Sequence, residues 1–259
     1  NAVLVNCADS TIKSKYFNGD MSLKSGAVGK TISMDEILQM YVYIPRYRYK
    51  LFNAENRTSV EQAIEIEFEP KSTPKSNGSR DGEWLTHPAF TFGNTELPGI
   101  WAAKFEASGS TNNYQIKPNQ KSLTNINLAT MFSTSRSTIL NASKYGLNNN
   151  VDTHMMKNME WGAIAFLTNS IYGRYNTAST CIASGCEVWI NNINTYTQGQ
   201  YGPSITGCAG TSSNASESTS QTACASGYDW KTKGVNASTT GNQYGIYDMS
   251  GGAWEYVMG

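Results

Sequence analysis

Apolar and polar positions alternate most clearly between residues 41 and 69. In Tyr41-Val42-Tyr43-Ile44-Pro45-Arg46-Tyr47-Arg48-Tyr49-Lys50-Leu51, the charged Arg46, Arg48 and Lys50 fall at every second position, the period of a half-buried strand. Ile64, Ile66 and Phe68 alternate with Glu65, Glu67 and Glu69 in the same way. Antiparallel pairing across a polar loop at about residues 52 to 63 sets the basic row against the acidic one, and opposite charges in cross-strand positions favour that register. A solvated ion-pair ladder explains Arg46, Arg48 and Lys50 better than an anion site does. Trp101-Ala102-Ala103-Lys104-Phe105-Glu106 is a third strand, preceded by the aromatic segment His87 to Phe92. Ser33-Met34-Asp35-Glu36 has capping-box spacing and predicts a short helix through Ile37, Leu38 and Met40. Another helix is expected within 123 to 145. The main helix is expected from Asp152 or Thr153 to a stop at Gly173, with Met155, Met159, Ala163 and Phe166 at intervals of three and four. On a helix this apolar the methionine stripe reads as core.

Composition narrows the class. Of 259 residues 39% are hydrophobic and 23 are glycine, so neutral polar loop must cover much of the surface. Residues 70–83 and most of 176–241 read as loop. One domain is expected, with residues 1–39 as a lead-in segment packed on a main domain at 40–259. Asn1 opens in an apolar stretch and Gly259 follows a strand-like run, so that domain is expected to be cut short at its C-terminus. Lys plus Arg and Asp plus Glu both number 20, and a balanced chain has no field to gather nucleic acid or an anionic membrane. No segment reaches the roughly eighteen apolar residues of a membrane span. Five Asn-x-Ser/Thr triplets, at Asn56, Asn77, Asn141, Asn214 and Asn236, are what this composition yields by chance, and no glycosylation is inferred.

Four of the five cysteines, Cys181, Cys186, Cys208 and Cys224, share one Ser/Thr/Asn-rich region. A secreted protein staples such segments with disulfides, and the local pairing Cys181–Cys186 and Cys208–Cys224 is expected among three possible. A four-cysteine zinc site is the rival, but fifteen residues between Cys208 and Cys224 exceed the usual gap within a ligand pair. Cys7 is left over, as a free thiol or with a partner outside this sequence.

Tyr244-Gly245-Ile246-Tyr247-Asp248-Met249-Ser250-Gly251-Gly252-Ala253-Trp254-Glu255-Tyr256 resembles the signature run of the formylglycine-generating-enzyme-like family. Upstream, Met159-Glu160-Trp161 resembles what survives of that family's acid-Trp helix motif, and Tyr43-Ile44-Pro45 and Ile100 to Glu106 look like its opening strands. The resemblance covers about residues 40 to 259 in the family's order. It implies an α+β fold of the C-type-lectin-like kind: small antiparallel sheets, two main helices and long loops. It also implies calcium. Asp248 and Glu255 are carboxylates seven residues apart around the Gly251-Gly252 bend, a hard-oxygen set. By the resemblance they become side-chain ligands, with Gly251 and Ala253 as carbonyl ligands. The residues alone allow equally that Asp248 caps a turn and Glu255 pairs with a basic side chain.

The oxidase branch of that family uses a cysteine pair placed after its signature run. Cys181 and Cys186 have the spacing but precede the run. The iron-binding branch uses two histidines and a carboxylate, whereas His87 and His154 lie far apart in sequence without that arrangement. Neither a nucleophile elbow, a phosphate loop nor a zincin motif occurs, and Asp152 and Glu160 have nothing in the sequence to single them out as a glycosidase pair. The expectation is a non-catalytic extracellular, cell-surface or virion-surface module, adhesin-like and belonging to a pilus-like or phage-tail-like protein of bacterial or phage origin. Its ligand would be a glycan or a cell-surface protein, held by loop aromatics such as Trp84, Trp189 and Trp230. The alternatives are a structural subunit packing against copies of itself, and a fragment of an oxidase without its catalytic strands.

Overall fold

A computed structural model describes residues 1–51, 62–80, 82–177, 180–181 (backbone alone), 188–189, 204–210, 224 and 226–259. In chain order the regular elements are β1 (Ala2–Val5), α1 (Ser10–Tyr16), β2 (Ile37–Pro45), β3 (Tyr47–Lys50), β4 (Glu65–Phe68), β5 (Leu85–Thr86), β6 (Thr91–Phe92), β7 (Thr95–Glu96), β8 (Gly99–Ala103), β9 (Ser108–Ser110) and β10 (Asn113–Gln115). There follow α2 (Leu128–Ser133), α3 (Ala142–Tyr145), α4 (Asn158–Thr168), β11 (Tyr175–Thr177), β12 (Thr180–Cys181) and α5 (Gly234–Ala237). The arrangement is α+β, with small antiparallel sheets and few helices. Among the described residues no helix is long and apolar enough to cross a membrane. Of the two main helices expected, one is long among the described residues: α4 has eleven residues, and the next longest, α1, has seven.

Two three-stranded sheets share one run of chain. β2 is central in the order β1-β2-β8, and β3 is central in β4-β3-β5. Arg46 separates β2 from β3, so one aromatic and β-branched stretch feeds both sheets. The ladder read from the sequence is present: Arg48 faces Glu67 and Lys50 faces Glu65 in antiparallel register. It is not solvated throughout, however. Arg46 and Glu69 are buried at 4% and 5% exposure with Nε–Oε1 at 2.9 Å, and Arg46 also pairs with Glu96.

The helix expected after the capping-box sequence is absent, because Ile37 to Pro45 is strand β2. Pairing with β1 on one side and β8 on the other outweighs the local helix signal. Glu36, the would-be capping carboxylate, still accepts the Ser33 N–H at 3.4 Å but begins no helix, and it also takes the ammonium of Lys15 at 2.7 Å and the hydroxyl of Tyr16. The helix within 123 to 145 is split into α2, a wide π-type turn at Thr134–Thr138, and α3, which ends at Gly146 with φ of 73°. Helix α4 starts at Asn158, six residues later than Asp152. Met155 therefore precedes it, and Met159 is 55% exposed, so the methionine stripe is not core. Ala163 and Ile164 carry the contact, with no exposed surface.

The main core joins both sheets to α4 through Ile44, Tyr47, Ile66, Phe90, Ala163 and Ile164. Tyr47 is fully buried and donates its hydroxyl to the Ala163 carbonyl at 2.6 Å, the partner that a buried phenol requires. A second cluster holds Phe105, Ile116, Ala209, Ala237 and Tyr247. A third, in the lead-in segment, holds Val5, Cys7, Tyr16 and Ala27. Cys7 is a free thiol there, and burial pushes its pKa up.

Candidate functional site

A cleft of about 740 Å3 opens beside β8. One wall is the edge strand Gly99–Ala103, and the facing wall is the chain from Ala253 to Val257. Tyr114, Ile139, Leu147 and Met155 are among the apolar residues of its lining. Trp101 at 55%, Trp254 at 84% and Tyr256 at 61% exposure stand around it. Exposed aromatics gathered at one cleft are the kind of apolar patch that marks an interaction site.

The bend before Trp254 reads as the sequence suggested, as irregular backbone and not helix. Asp248, Gly251 and Gly252 all have positive φ, at 68°, 84° and 75°. Glycine is required at 252, since a Cβ there would stand 2.4 Å from Oε1 of Glu106. The close approach lets the Ala253 N–H donate to that same oxygen at 2.8 Å. Glu106 also accepts from the Ser204 hydroxyl at 3.0 Å. Asp248 accepts from the N–H groups of Gly207, at 2.8 Å, and Glu106, at 3.2 Å.

Glu106 and Asp248 are both buried, at 7% and 8% exposure, and no lysine or arginine among the described residues pairs with either. Burial, then the charges of Asp248 and Glu255, push the Glu106 carboxyl well above its ordinary value. Burial likewise pushes Asp248 up to about 7, against the pull of its two backbone donors. Glu255 is exposed as a residue, yet its carboxyl is crowded by protein at the cleft, and that burial with the Asp248 charge pushes it up to about 7. Lys104, also buried, turns the other way and donates to the carbonyls of Gly245 at 2.7 Å and Gln243 at 3.2 Å.

Among the described residues no group of three or more His, Cys, Asp and Glu side chains is gathered closely enough to hold a metal ion. Of the expected ligand set, Asp248 is buried with both oxygens in backbone hydrogen bonds, and Glu255 lines the cleft. Ala253 offers its N–H to Glu106, and Gly251 supplies the turn. Hard oxygens are the donor type calcium takes, but among the described residues these side chains do not gather into a coordination sphere.

At the other end of the cleft His154 joins two carboxylates. Its Nδ1 lies 2.6 Å from Asp152 and its Nε2 lies 3.0 Å from Glu160, and hydrogen bonding to Glu160 leads the causes that raise its pKa. Glu160 also takes the Lys157 N–H at 2.8 Å, starting α4. The late helix start follows from this knot and from the bridge between Lys157 and Met258. His154 is thus not a first-turn helix residue, and Asp152 and Glu160, unconnected in the sequence reading, are held by one imidazole.

The three tryptophans expected to bind ligand are not a common surface. Trp84 is partly buried, with the Arg48 guanidinium 4.8 Å above its ring. Trp189 and Trp230 pack on the second core cluster. Trp101 and Trp254 take their place as exposed rings. Cys208 and Cys224 form the expected disulfide, with Cα atoms 5.4 Å apart, while Cys186 and the Cys181 side chain lie outside the described residues. The residue missed altogether is Glu106. Its signal was present, since Ala102, Lys104 and Glu106 share one face of an alternating strand, and all three are buried. In comparisons with known proteins, no family model and no curated sequence matches the chain.

Proposed function

We propose that the chain is a non-catalytic binding or display module of the extracellular, cell-surface or virion-surface kind, built on a C-type-lectin-like variant of the α+β class. The observation that carries this reading is the open cleft ringed by Trp101, Trp254 and Tyr256 on the rigid frame of β8 and the glycine bend. Rigid aromatics bind at low cost in side-chain entropy. The Cys208–Cys224 disulfide supports an oxidising compartment. The signature-like run 244–256 supports the family kinship, since its glycines make the bend that positions Glu106 and Asp248.

Calcium belongs to the same reading. Asp248 and Glu255, with Glu106 behind them and carbonyls of Gly251 and Ala253, would hold it, and the ion would neutralise carboxyls that are otherwise buried without a cation. The experiment is a screen of glycans and extracellular-matrix proteins against the folded protein and its Trp254→Ala variant, with and without chelator, alongside melting curves. Binding lost in the variant, and a melting temperature lowered by chelator in the native protein but not in Asp248→Ala, are expected. A folded sample that binds nothing sinks the module, and identical melting curves with and without chelator sink the metal.

A further inference from the structure

Among the described residues no strand pairs with the outer edge of β8, and the strand lines the cleft. In the β2–β8 ladder the bonded positions are the even ones: Arg46 N–H donates to the Pro98 carbonyl at 2.9 Å and Lys104 N–H to the Met40 carbonyl at 3.0 Å. Antiparallel pairing then turns the N–H and C=O of Gly99, Trp101 and Ala103 away from β2. Among the described residues these groups make no backbone hydrogen bond on that side. Proteins normally blunt such an edge with charge, proline or a covering element, but Gly99-Ile100-Trp101-Ala102-Ala103 carries neither charge nor proline. All five residues line the cleft. The lining also carries four carboxylates and no lysine or arginine; Asp152 is matched by Arg136 and His154 and Glu160 by His154, which leaves Glu106 and Glu255 as the lining acids with no cation paired to them among the described residues.

We infer that β8 accepts an added strand from a partner protein: an extended segment with apolar side chains at alternate positions and a lysine or arginine directed at the exposed Glu255, in competition with the calcium proposed there. Backbone bonds to Gly99, Trp101 and Ala103 supply affinity, and the apolar cleft and its carboxylates select the side chains. Five β8 residues at about 3.3 Å each give room for a strand of roughly 17 Å. A small amphiphilic cation would use the walls and carboxylates but leave the strand edge bare, which is why a polypeptide is the favoured occupant. The inference rests on the reading of the chain as a binding module and names its partner.

The test uses the native protein and a panel of capped seven-residue peptides that permute valine, isoleucine, phenylalanine and threonine around one lysine. Tryptophan fluorescence follows binding, and hydrogen exchange follows the amides of residues 99–103. The expected result is binding by at least one peptide, with the Trp101 and Ala103 amides slowed about tenfold or more, and affinity weakened about tenfold when glutamate replaces the lysine, a change of about 1.4 kcal/mol. N-methylation of alternate peptide bonds must abolish binding in one register and spare it in the other. No binding across the panel at about 1 mM, equal binding by both N-methylated forms, or equal binding by the glutamate form overturns the inference. So does protection of 99–103 in the protein alone, because the edge is then covered by this chain or by a second copy, the latter visible as a dimer in sedimentation. Glycan or matrix binding with 99–103 unprotected overturns the strand while leaving the module standing.

Discussion

His87 shows how a single side chain couples packing to solution conditions. It is 4% exposed, rings of Tyr47, Tyr49, Phe90 and Phe166 surround it, and its Nδ1 accepts the Ala89 N–H at 3.2 Å. Burial without a charged partner pushes its pKa down to about 4. The unfolded chain takes up this proton first, near pH 6.5, so folding stability is complete above that value and is lost as pH falls toward 4. The full contribution is about 3 kcal/mol. Urea unfolding of His87→Asn is expected to give lower stability at pH 7, from lost ring contacts, and a flatter profile between pH 4 and 6.5. A profile as steep as the native one would remove His87 as the cause. Gly252 makes a similar point in backbone terms, since its missing side chain is what allows Glu106 to reach the bend.

Between elements, the β3–β4 ladder grades three ion pairs by depth. Arg46–Glu69 is buried, Arg48–Glu67 is half-buried, and Lys50–Glu65 has side chains 32% and 49% exposed. Removing one partner of a buried pair strands the other charge and costs about 3–5 kcal/mol, whereas an exposed pair is worth about 0–1 kcal/mol. Arg46→Met should therefore destabilise by several kcal/mol, Arg48→Met by less, and Lys50→Met by less than about 1 kcal/mol, as read by chemical denaturation. Equal losses at all three positions would refute the grading. The sequence revealed the ladder's register because alternation is a local property. It concealed the depth, because burial of Arg46 depends on Phe90 and Glu96, roughly fifty residues onward. The same limit explains Ile37 to Pro45: the capping-box residues Ser33 and Glu36 were legible, but the strands that claim the next nine residues are supplied by β1 and by β8. The glycine bend was legible because consecutive glycines permit the positive-φ backbone a sharp turn needs, and Gly251 and Gly252 both adopt it.

At the scale of the molecule, the described residues form three apolar clusters from short elements, and one cross-link adds to them. The Cys208–Cys224 link joins residues 16 apart and is worth about 3 kcal/mol on the chain-entropy model. Its loss should lower the melting temperature by roughly 6–12 °C in a domain of this size. Calorimetry of the Cys208→Ala, Cys224→Ala double variant tests this, and an unchanged transition would show that the cross-link is dispensable for folding. The candidate site also belongs to this scale. Its walls come from β8 and from Ala253–Val257, some 150 residues apart, and no local pattern announces a space between distant segments. Exposed Trp101 and Trp254 could not be told from half-buried Trp189 and Trp230 until the segments around them had been placed.

Cys7 turns the lead-in segment into its own reporter. Its thiol lies beside Val5, Tyr16 and Ala27, and its backbone N–H donates to the Lys144 carbonyl at 2.8 Å, so a reagent reaches the sulfur only when residues 1–27 peel away from α3. Alkylation followed by mass spectrometry in rising urea is expected to modify Cys7 in step with the opening of this corner. Modification at a denaturant concentration below the main transition would identify the lead-in as an independently releasable flap, and modification coincident with that transition would make it part of one cooperative unit.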